Sequence, residues 1–241
     1  MGRELPKAMQ ELGHEIRTFM PKWGTINERR GMLHEVQRLS GMNLIIDDTD
    51  HPLIIKVASI QSARVAVYFI DNEDYFSKRQ MTTNELGEDY PDNGERAIFF
   101  ARGVLETVNK LRWVPDIIHC QGWMSAVVPL YIKTAYKDEP SFAESKVVTS
   151  LFARDLQKEL GTKFKSCLPF RDTKKELLES YNDNFDIHEL GKMAIDYSDG
   201  VIQAVPEVEE TLQEYARLKG IPLLPYAEDF AAAYEAFYDK L

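Results

Sequence analysis

Short apolar runs alternate with amphipathic segments over the second half of the chain, and this alternation predicts its architecture. From Asp92 onward the order reads helix, strand, helix, strand, two helices, strand, helix, strand, helix. Such an order is typical of an α/β fold with a doubly wound, mostly parallel sheet. The predicted strands here are Asp116–Cys120, Lys146–Phe152, Gly200–Ala204 and Ile221–Leu224. Ala153–Arg171 is charged and irregular, and the two consecutive helices are Thr173–Tyr181 and Ile187–Tyr197.

The first part of the chain has a different pattern. Glu4–Leu12 has the apolar spacing of a helix and Glu15–Met20 that of a strand, which we expect to lie in the same parallel sheet. A helix that leads into a parallel strand normally follows another strand. Either the sheet has an unusual first element, or its first strand is missing from this chain, and we expect the second.

Closely spaced β-rich runs then predict an antiparallel β-meander, inserted between the early strands of the sheet. The runs are Leu33–Leu39, Met42–Ile46, Leu53–Ile60 and Val65–Ile70. The acidic residues Asp47, Asp48 and Asp50 between two of them lack the spacing of a calcium loop, so they are interpreted as a solvated turn. The terminal helix Asp229–Leu241 has Phe230, Tyr234, Phe237 and Tyr238 on one face, which we expect to dock onto the sheet.

The segment WVPDIIHCQGWMSAVVPLYIK (113–133) holds the candidate site. A buried strand runs almost directly into a helix here, so the linking residues lie at the carboxyl edge of the sheet, where α/β folds bind ligands. His119, Gln121, Gly122 and Trp123 are therefore the first candidates. The alternative is that His119 is a satisfied core histidine and Trp123 a packing residue.

Composition narrows the classes of partner. The chain has 241 residues, a net charge of −10 and a pI near 5.1, which argue against nucleic acid or an anionic membrane as partners. No signal-peptide core or apolar run of membrane-spanning length is present, and the default expectation is a cytoplasmic protein. No linker or repeat divides the chain, so residues 1–241 are interpreted as one domain.

Motif searches give no cofactor and no metal site. The sequence has no glycine-rich dinucleotide or phosphate loop, no Cys/His metal spacing and no nucleophile elbow. Trp23 and the pair Tyr75-Phe76 lie next to predicted loops. They are read as exposed aromatics, which either stack on sugar faces or serve packing.

Four segments in order resemble the N-terminal half of the bacterial glycogen synthase and plant starch synthase family. They are GRELPKAMQELGHEIRTFMPKWG (2–24), VYFIDNEDYF (67–76), YPDNGERAIFFARGVLE (90–106) and PDIIHCQGWMSAVVPLYIK (115–133). The last is similar to the family pattern P-D-I-V-H-x-H-D-W. The resemblance implies a Rossmann-like domain of the GT-B fold and glucosyl transfer from ADP-glucose to an α-1,4-glucan.

The resemblance also implies site residues. His119 and Trp123 match the family pattern, and Gln121, Asn93 and Trp23 complete the predicted glucan contacts. Implied partners are an α-glucan, ADP-glucose and a separate protein carrying the family's C-terminal domain.

The departures from the family pattern concern catalysis. Gly122 stands where the family has an Asp, and Leu151 where it has the His of a later motif. The family's Lys-x-Gly-Gly loop and C-terminal domain are absent, so no catalytic residue is assigned. Two hypotheses stay open: an incomplete glucosyltransferase domain inactive by itself, or a non-catalytic glucan-binding or docking module.

Overall fold

The computed structural model of the chain describes residues 1–153 and 156–241. Arg154 and Asp155, within the predicted irregular segment Ala153–Arg171, lie outside the described residues. The strands are β1 Arg17–Pro21, β2 His34–Glu35, β3 Asn43–Ile46, β4 Thr49–Pro52, β5 Ile54–Ile60, β6 Val65–Asp71, β7 Ile117–Gln121, β8 Lys146–Leu151, β9 Gly200–Gln203 and β10 Leu223–Leu224. The helices are α1 Glu4–Glu11, α2 Asn93–Leu111, α3 Val128–Lys133, α4 Phe164–Cys167, α5 Ile187–Asp196, α6 Glu210–Leu218 and α7 Phe230–Asp239.

The strands form two four-stranded sheets and one hairpin. The first sheet has the order β1-β6-β5-β2, and the second has the order β10-β9-β8-β7. Every pairing in the second sheet is parallel. Its strands alternate with helices, so the Rossmann-like α/β prediction is confirmed.

The β-meander lies where the sequence predicted it, but its last strand is also part of the parallel layer. β5 pairs antiparallel with β6 and β2, whereas β6 pairs parallel with β1. The prediction that Glu15–Met20 shares a sheet with the later strands is therefore wrong. Its backbone hydrogen bonds go to β6, in the register Arg17↔Ala66 to Pro21↔Ile70.

Three local predictions differ from the structure. Leu33–Leu39 contains only the short β2 and a 3₁₀ turn that buries Leu39. Thr49–Pro52 is a strand, because Asp47 and Asp48 both adopt positive φ (52° and 59°) and close a tight hairpin. The predicted helix Thr173–Tyr181 is reduced to a 3₁₀ turn at Lys175–Leu178, in which only Leu178 is buried.

Helices cover both faces of the parallel layer. On one face, α2, α3 and α5 pack in a large core that contains residues of both sheets, such as Ile70 and Val147. On the other face, α1 and α7 pack over β8 and β9. Tyr234 and Phe237 of α7 are 2% and 7% exposed, which confirms the predicted docking of the terminal helix.

Candidate functional site

The carboxyl end of β7 leads through a single glycine into a 3₁₀ turn at Trp123–Ser125. Gly122 has φ 79° and ψ 167°, a conformation that is essentially confined to glycine. The Ser125 hydroxyl lies 2.8 Å from the Gln121 carbonyl oxygen and 3.0 Å from that of Gly122. The turn is thus built around a glycine, and any side chain at position 122 would strain the backbone.

His119 lies in β7, two residues before Gln121, and its side chain is on the face of the sheet that packs against α7. Its Nδ1 is 2.5 Å from the Tyr238 hydroxyl, and its Nε2 is 2.5 Å from the Ser150 hydroxyl. The Tyr234 and Tyr238 ring centroids lie 5.8 Å and 5.7 Å from the imidazole. We call His119, Ser150, Tyr234 and Tyr238 the His119 cluster.

Burial lowers the pKa of His119 to about 3, because removal from solvent disfavours the charged imidazolium. The imidazole is therefore neutral at pH 7, with one ring nitrogen donating and the other accepting. Both nitrogens are already used within the chain. This is the arrangement of a half-buried histidine whose hydrogen bonds are satisfied within the chain.

Trp123, Asn93 and Trp23 are brought close together, but in the interior. Trp123 is 5% exposed, and its Nε1 donates to Thr82 Oγ1 over 3.1 Å. Asn93 is 1% exposed, and its Nδ2 donates to the Thr82 carbonyl over 3.0 Å. Trp23 is 7% exposed and meets Phe76 edge-on at 5.8 Å.

The expectation of exposed aromatics at Trp23, Tyr75 and Phe76 is thus wrong. All three are buried. Trp23 and Phe76 pack on each other and against the Arg96 guanidinium, and Tyr75 packs on Phe99. A role for Trp23, Asn93 or Trp123 as direct glucan contacts stays a prediction.

A buried arginine, Arg96, holds the segment that follows Phe76 in place. Its guanidinium donates to the carbonyl oxygens of Tyr75, Gln80 and Met81 over 2.8–3.0 Å, and to Asn93 Oδ1 over 2.8 Å. Arg96 is 0% exposed, and burial lowers its pKa to about 10. We call Tyr75, Gln80, Met81, Asn93 and Arg96 the Arg96 network.

The Arg96 network is not predicted from the sequence. The pattern N-x-x-R at the start of α2 belongs to a segment that resembles the family, and the resemblance does not indicate a buried cation. The available signal was an arginine on the apolar face of a helix, next to a long polar segment with many carbonyl groups to satisfy.

An open groove of about 570 Å³ lies in the segment that follows β8. Its lining residues are polar and come from the segment after β8 and the start of α5: Gln157, Lys158, Glu159, Gly161 and Asp186. Asp89, just before α2, fixes this segment, because its Oδ2 accepts the backbone N–H groups of Gln157 and Lys158 over 2.8 Å each. The other carboxylate oxygen, Oδ1, is buried and has no hydrogen-bond partner among the described residues.

The groove provides hydroxyl-binding groups, namely amide, carboxylate and ammonium side chains, at an accessible surface. It was missed from the sequence because Ala153–Arg171 has no periodic pattern. Among the described residues there is no group of three or more side chains able to hold a metal ion, and no helix long and apolar enough to cross a membrane.

Comparison with known proteins defines the class. Residues 1–221 match the family model of the starch synthase catalytic domain, so the chain belongs to that family of glycosyltransferases. Glycogen synthase of Chlorobium luteolum is 42% identical over 147 residues, which are 61% of this chain and 30% of that protein. Glycogen synthase of Chlorobium phaeovibrioides is 38% identical over 178 residues, covering 71% of this chain and 34% of that protein.

A solved structure supports the fold. The catalytic domain of starch synthase IV from Arabidopsis thaliana, bound to ADP and acarbose, superimposes with a TM-score of 0.72 at 18% identity. The match covers 92% of this chain and 46% of that one, and it confirms the GT-B-type fold. The chain spans about a third of the length of the glycogen synthases that it matches.

Proposed function

We propose that these 241 residues form a single domain that binds α-1,4-glucan and does not by itself transfer glucose from ADP-glucose. The main support for the proposal is the arrangement of His119 and Gly122 at the carboxyl end of β7. His119 has both nitrogens occupied by Ser150 and Tyr238, and Gly122 has no side chain to offer a reacting sugar. Transfer with a departing diphosphate needs preorganised polar partners for both developing charges.

Glucan binding is proposed at the carboxyl edge of the second sheet. Gln121, at the end of β7, and the groove residues Gln157 and Lys158 are half-buried or exposed, and they can donate hydrogen bonds to sugar hydroxyls. Trp23, Asn93 and Trp123 are buried, so they would support the glucan site by packing beneath the carboxyl edge of the sheet and not by direct contact. The acarbose-bound relative supports the choice of an α-linked sugar as the ligand class.

The test of binding is a calorimetric titration with maltoheptaose. We expect saturable binding that weakens about fivefold in Gln157→Ala or Gln121→Ala, since a lost hydrogen bond to a ligand is worth about 1 kcal/mol. Gln37→Ala, at an exposed glutamine outside the site, is the matched control. Equal affinity in all four proteins would place the glucan elsewhere, and no binding to any of them would refute the proposal.

A second candidate is a docking module that never takes part in transfer. The glycine-specific backbone at Gly122 favours it, because the family's Asp could not be restored there without strain. The two candidates differ in one experiment. Mixing the chain with the separately purified C-terminal half of a Chlorobium glycogen synthase should restore ADP-glucose incorporation only if the chain is one half of an enzyme.

A further inference from the structure

A second open pocket, of about 460 Å³, lies at the amino edge of the second sheet. Part of its lining comes just before strands of that sheet, since Tyr197 and Ser198 precede β9 and Ile221 precedes β10. The strands of this sheet are parallel, so the pocket lies at the opposite end of the sheet from Gln121. Its volume is in the range of sites that bind small molecules.

The polar part of this pocket is built around the Asp196 carboxylate, and we call it the Asp196 pocket. The Tyr215 hydroxyl donates to Asp196 Oδ1 over 2.7 Å, and the Tyr181 hydroxyl donates to Oδ2. Burial, and then the Asp196 carboxylate, raise the pKa of both phenols, so both stay protonated and donate at pH 7. Each carboxylate oxygen can accept a second hydrogen bond. The Asp196 side chain is 18% exposed, so a ligand can reach it.

A cation lies beside this carboxylate without a hydrogen bond to it. Lys219 Nζ is 3.8 Å from Asp196 Oδ1, which is too long for a hydrogen bond, and the lysine side chain is 52% exposed. The ammonium group therefore keeps N–H groups for a ligand. Because the other lining residues are uncharged, the positive and the negative charge balance, and the pocket favours a neutral ligand over an ion.

The rest of the lining gives apolar surface next to these polar groups. Leu177 is 40% exposed, and Tyr197 and Ile221 are half-buried. A sugar ring has the same mixed character, with hydroxyl groups around its edge and C–H groups on its faces. An aromatic side chain can pack on such a face while carboxylate and ammonium groups bind the hydroxyls. The Asp196 pocket therefore matches a sugar better than it matches an ion or an apolar molecule.

We propose that the Asp196 pocket binds a neutral sugar unit of an α-linked glucan. The choice of α-linked glucose rests on the proposed function, whereas the preference for a neutral sugar rests on the pocket itself. Asp196 accepts and Lys219 donates hydrogen bonds to neighbouring hydroxyl groups, and Tyr197 packs against the ring. This pocket and the carboxyl edge lie at opposite ends of the second sheet, so one domain would hold glucan at two places.

The test is a titration of the full chain with maltotriose, followed by the backbone-amide NMR signals of the two sites. Ser180 and Tyr197 report on the Asp196 pocket, and Gln121 reports on the carboxyl edge. We expect saturable shifts at Ser180 and Tyr197. Lys219→Met should weaken the binding that they report about fivefold, because one hydrogen bond to the ligand is lost. Lys240→Met, at an exposed lysine of another helix end, should leave it unchanged.

Three results would overturn the proposal. The first is the absence of saturable shifts at Ser180 and Tyr197, and the second is equal affinity in the wild type and Lys219→Met. The third is binding of inorganic phosphate at these residues in place of maltotriose. Equal affinity for cellotriose, the β-linked trimer, would overturn the assignment to α-linked glucan.

The same spectra separate this proposal from the proposed function. Shifts at Gln121 alone would leave glucan binding at the carboxyl edge in place and refute the Asp196 pocket. Shifts at Ser180 and Tyr197 without a response at Gln121 would support the Asp196 pocket and refute binding at the carboxyl edge.

Discussion

The Arg96 network and the His119 cluster lie on opposite faces of the second sheet and use polar groups in contrasting ways. In the first, a buried cation satisfies backbone carbonyls and packs against the rings of Trp23 and Phe76. In the second, a neutral imidazole contacts two tyrosines and a serine. Both segments match the transferase family in sequence, and in the structure both groups are hydrogen-bonded within the chain.

Arg96→Met should cause the largest loss of stability. It leaves two buried acceptors, the Tyr75 carbonyl and Asn93 Oδ1, and the part-buried bonds to Gln80 and Met81 without their donor. An unpaired buried acceptor costs about 1–3 kcal/mol, so we expect about 5 kcal/mol in total.

Urea unfolding followed by tryptophan fluorescence measures this loss, since Trp23 packs against the Arg96 guanidinium. Arg29→Met, at an exposed arginine, is the control. A loss below about 1 kcal/mol would mean that the network is not a stabilising element.

Phe237→Ala tests the other face. The side chain is 7% exposed, and a Cβ at Gly200 would lie only 2.8 Å from its Cε1, so α7 packs tightly on β9. We expect a loss of about 3 kcal/mol from the cavity and lost burial. Asp239→Ala on the exposed side of the same helix should change the midpoint little. Equal midpoints for the two variants would contradict docking of α7.

The His119 cluster also predicts a pH dependence. The folded-state pKa of His119, about 3, lies below its ordinary value of 6.5. The unfolded chain therefore binds a proton that the folded chain does not, and the free energy of unfolding should fall as pH drops from about 6.5 toward 3. The slope attributable to one such proton is about 1.4 kcal/mol per pH unit.

Unfolding curves of the wild type and His119→Gln over that pH range isolate the contribution. The variant should lack this part of the slope, and His34→Gln, at an exposed histidine, controls for the loss of one histidine. Parallel pH profiles for the wild type and His119→Gln would show that the imidazole is not enclosed.

Tyr238→Phe gives the smallest expected effect. It removes the hydroxyl next to His119 Nδ1 and keeps the ring, so we expect about 1 kcal/mol of destabilisation. Tyr226→Phe, at an exposed tyrosine, is the matched change. If Tyr238→Phe leaves the free energy of unfolding unchanged, then the cluster is stabilised by aromatic packing and not by this hydrogen bond.

Elements with a strong local pattern were predictable from the sequence. The strand before Gln121, the helix Asn93–Leu111 and the docking face of α7 depend on periodicity, and all three are present. The partner of β1 was not predictable, since pairing depends on contacts far apart in the chain. The burial of Trp23 was likewise not predictable, because the segment after Phe76 is polar and is held in place by Arg96, which belongs to another element, α2.

For the site, sequence reasoning located the strand end but not its chemistry. Gln121 and Gly122 lie at the carboxyl end of β7 as expected, and the conformation of Gly122 explains why glycine is required there. Nothing local in the sequence indicates that Tyr238, more than a hundred residues away, binds His119. The groove after β8 lies in a segment without periodicity, where pattern gives no prediction.

The central claim is that this chain binds glucan without transferring glucose. The most direct measurement is incorporation of radiolabelled glucose from ADP-glucose into glycogen by the purified 241-residue chain, at protein concentrations that saturate glucan binding. We expect no incorporation above a protein-free blank, because both ring nitrogens of His119 are hydrogen-bonded within the chain and Gly122 offers no side chain. Sustained turnover that scales with the concentration of the chain would contradict it.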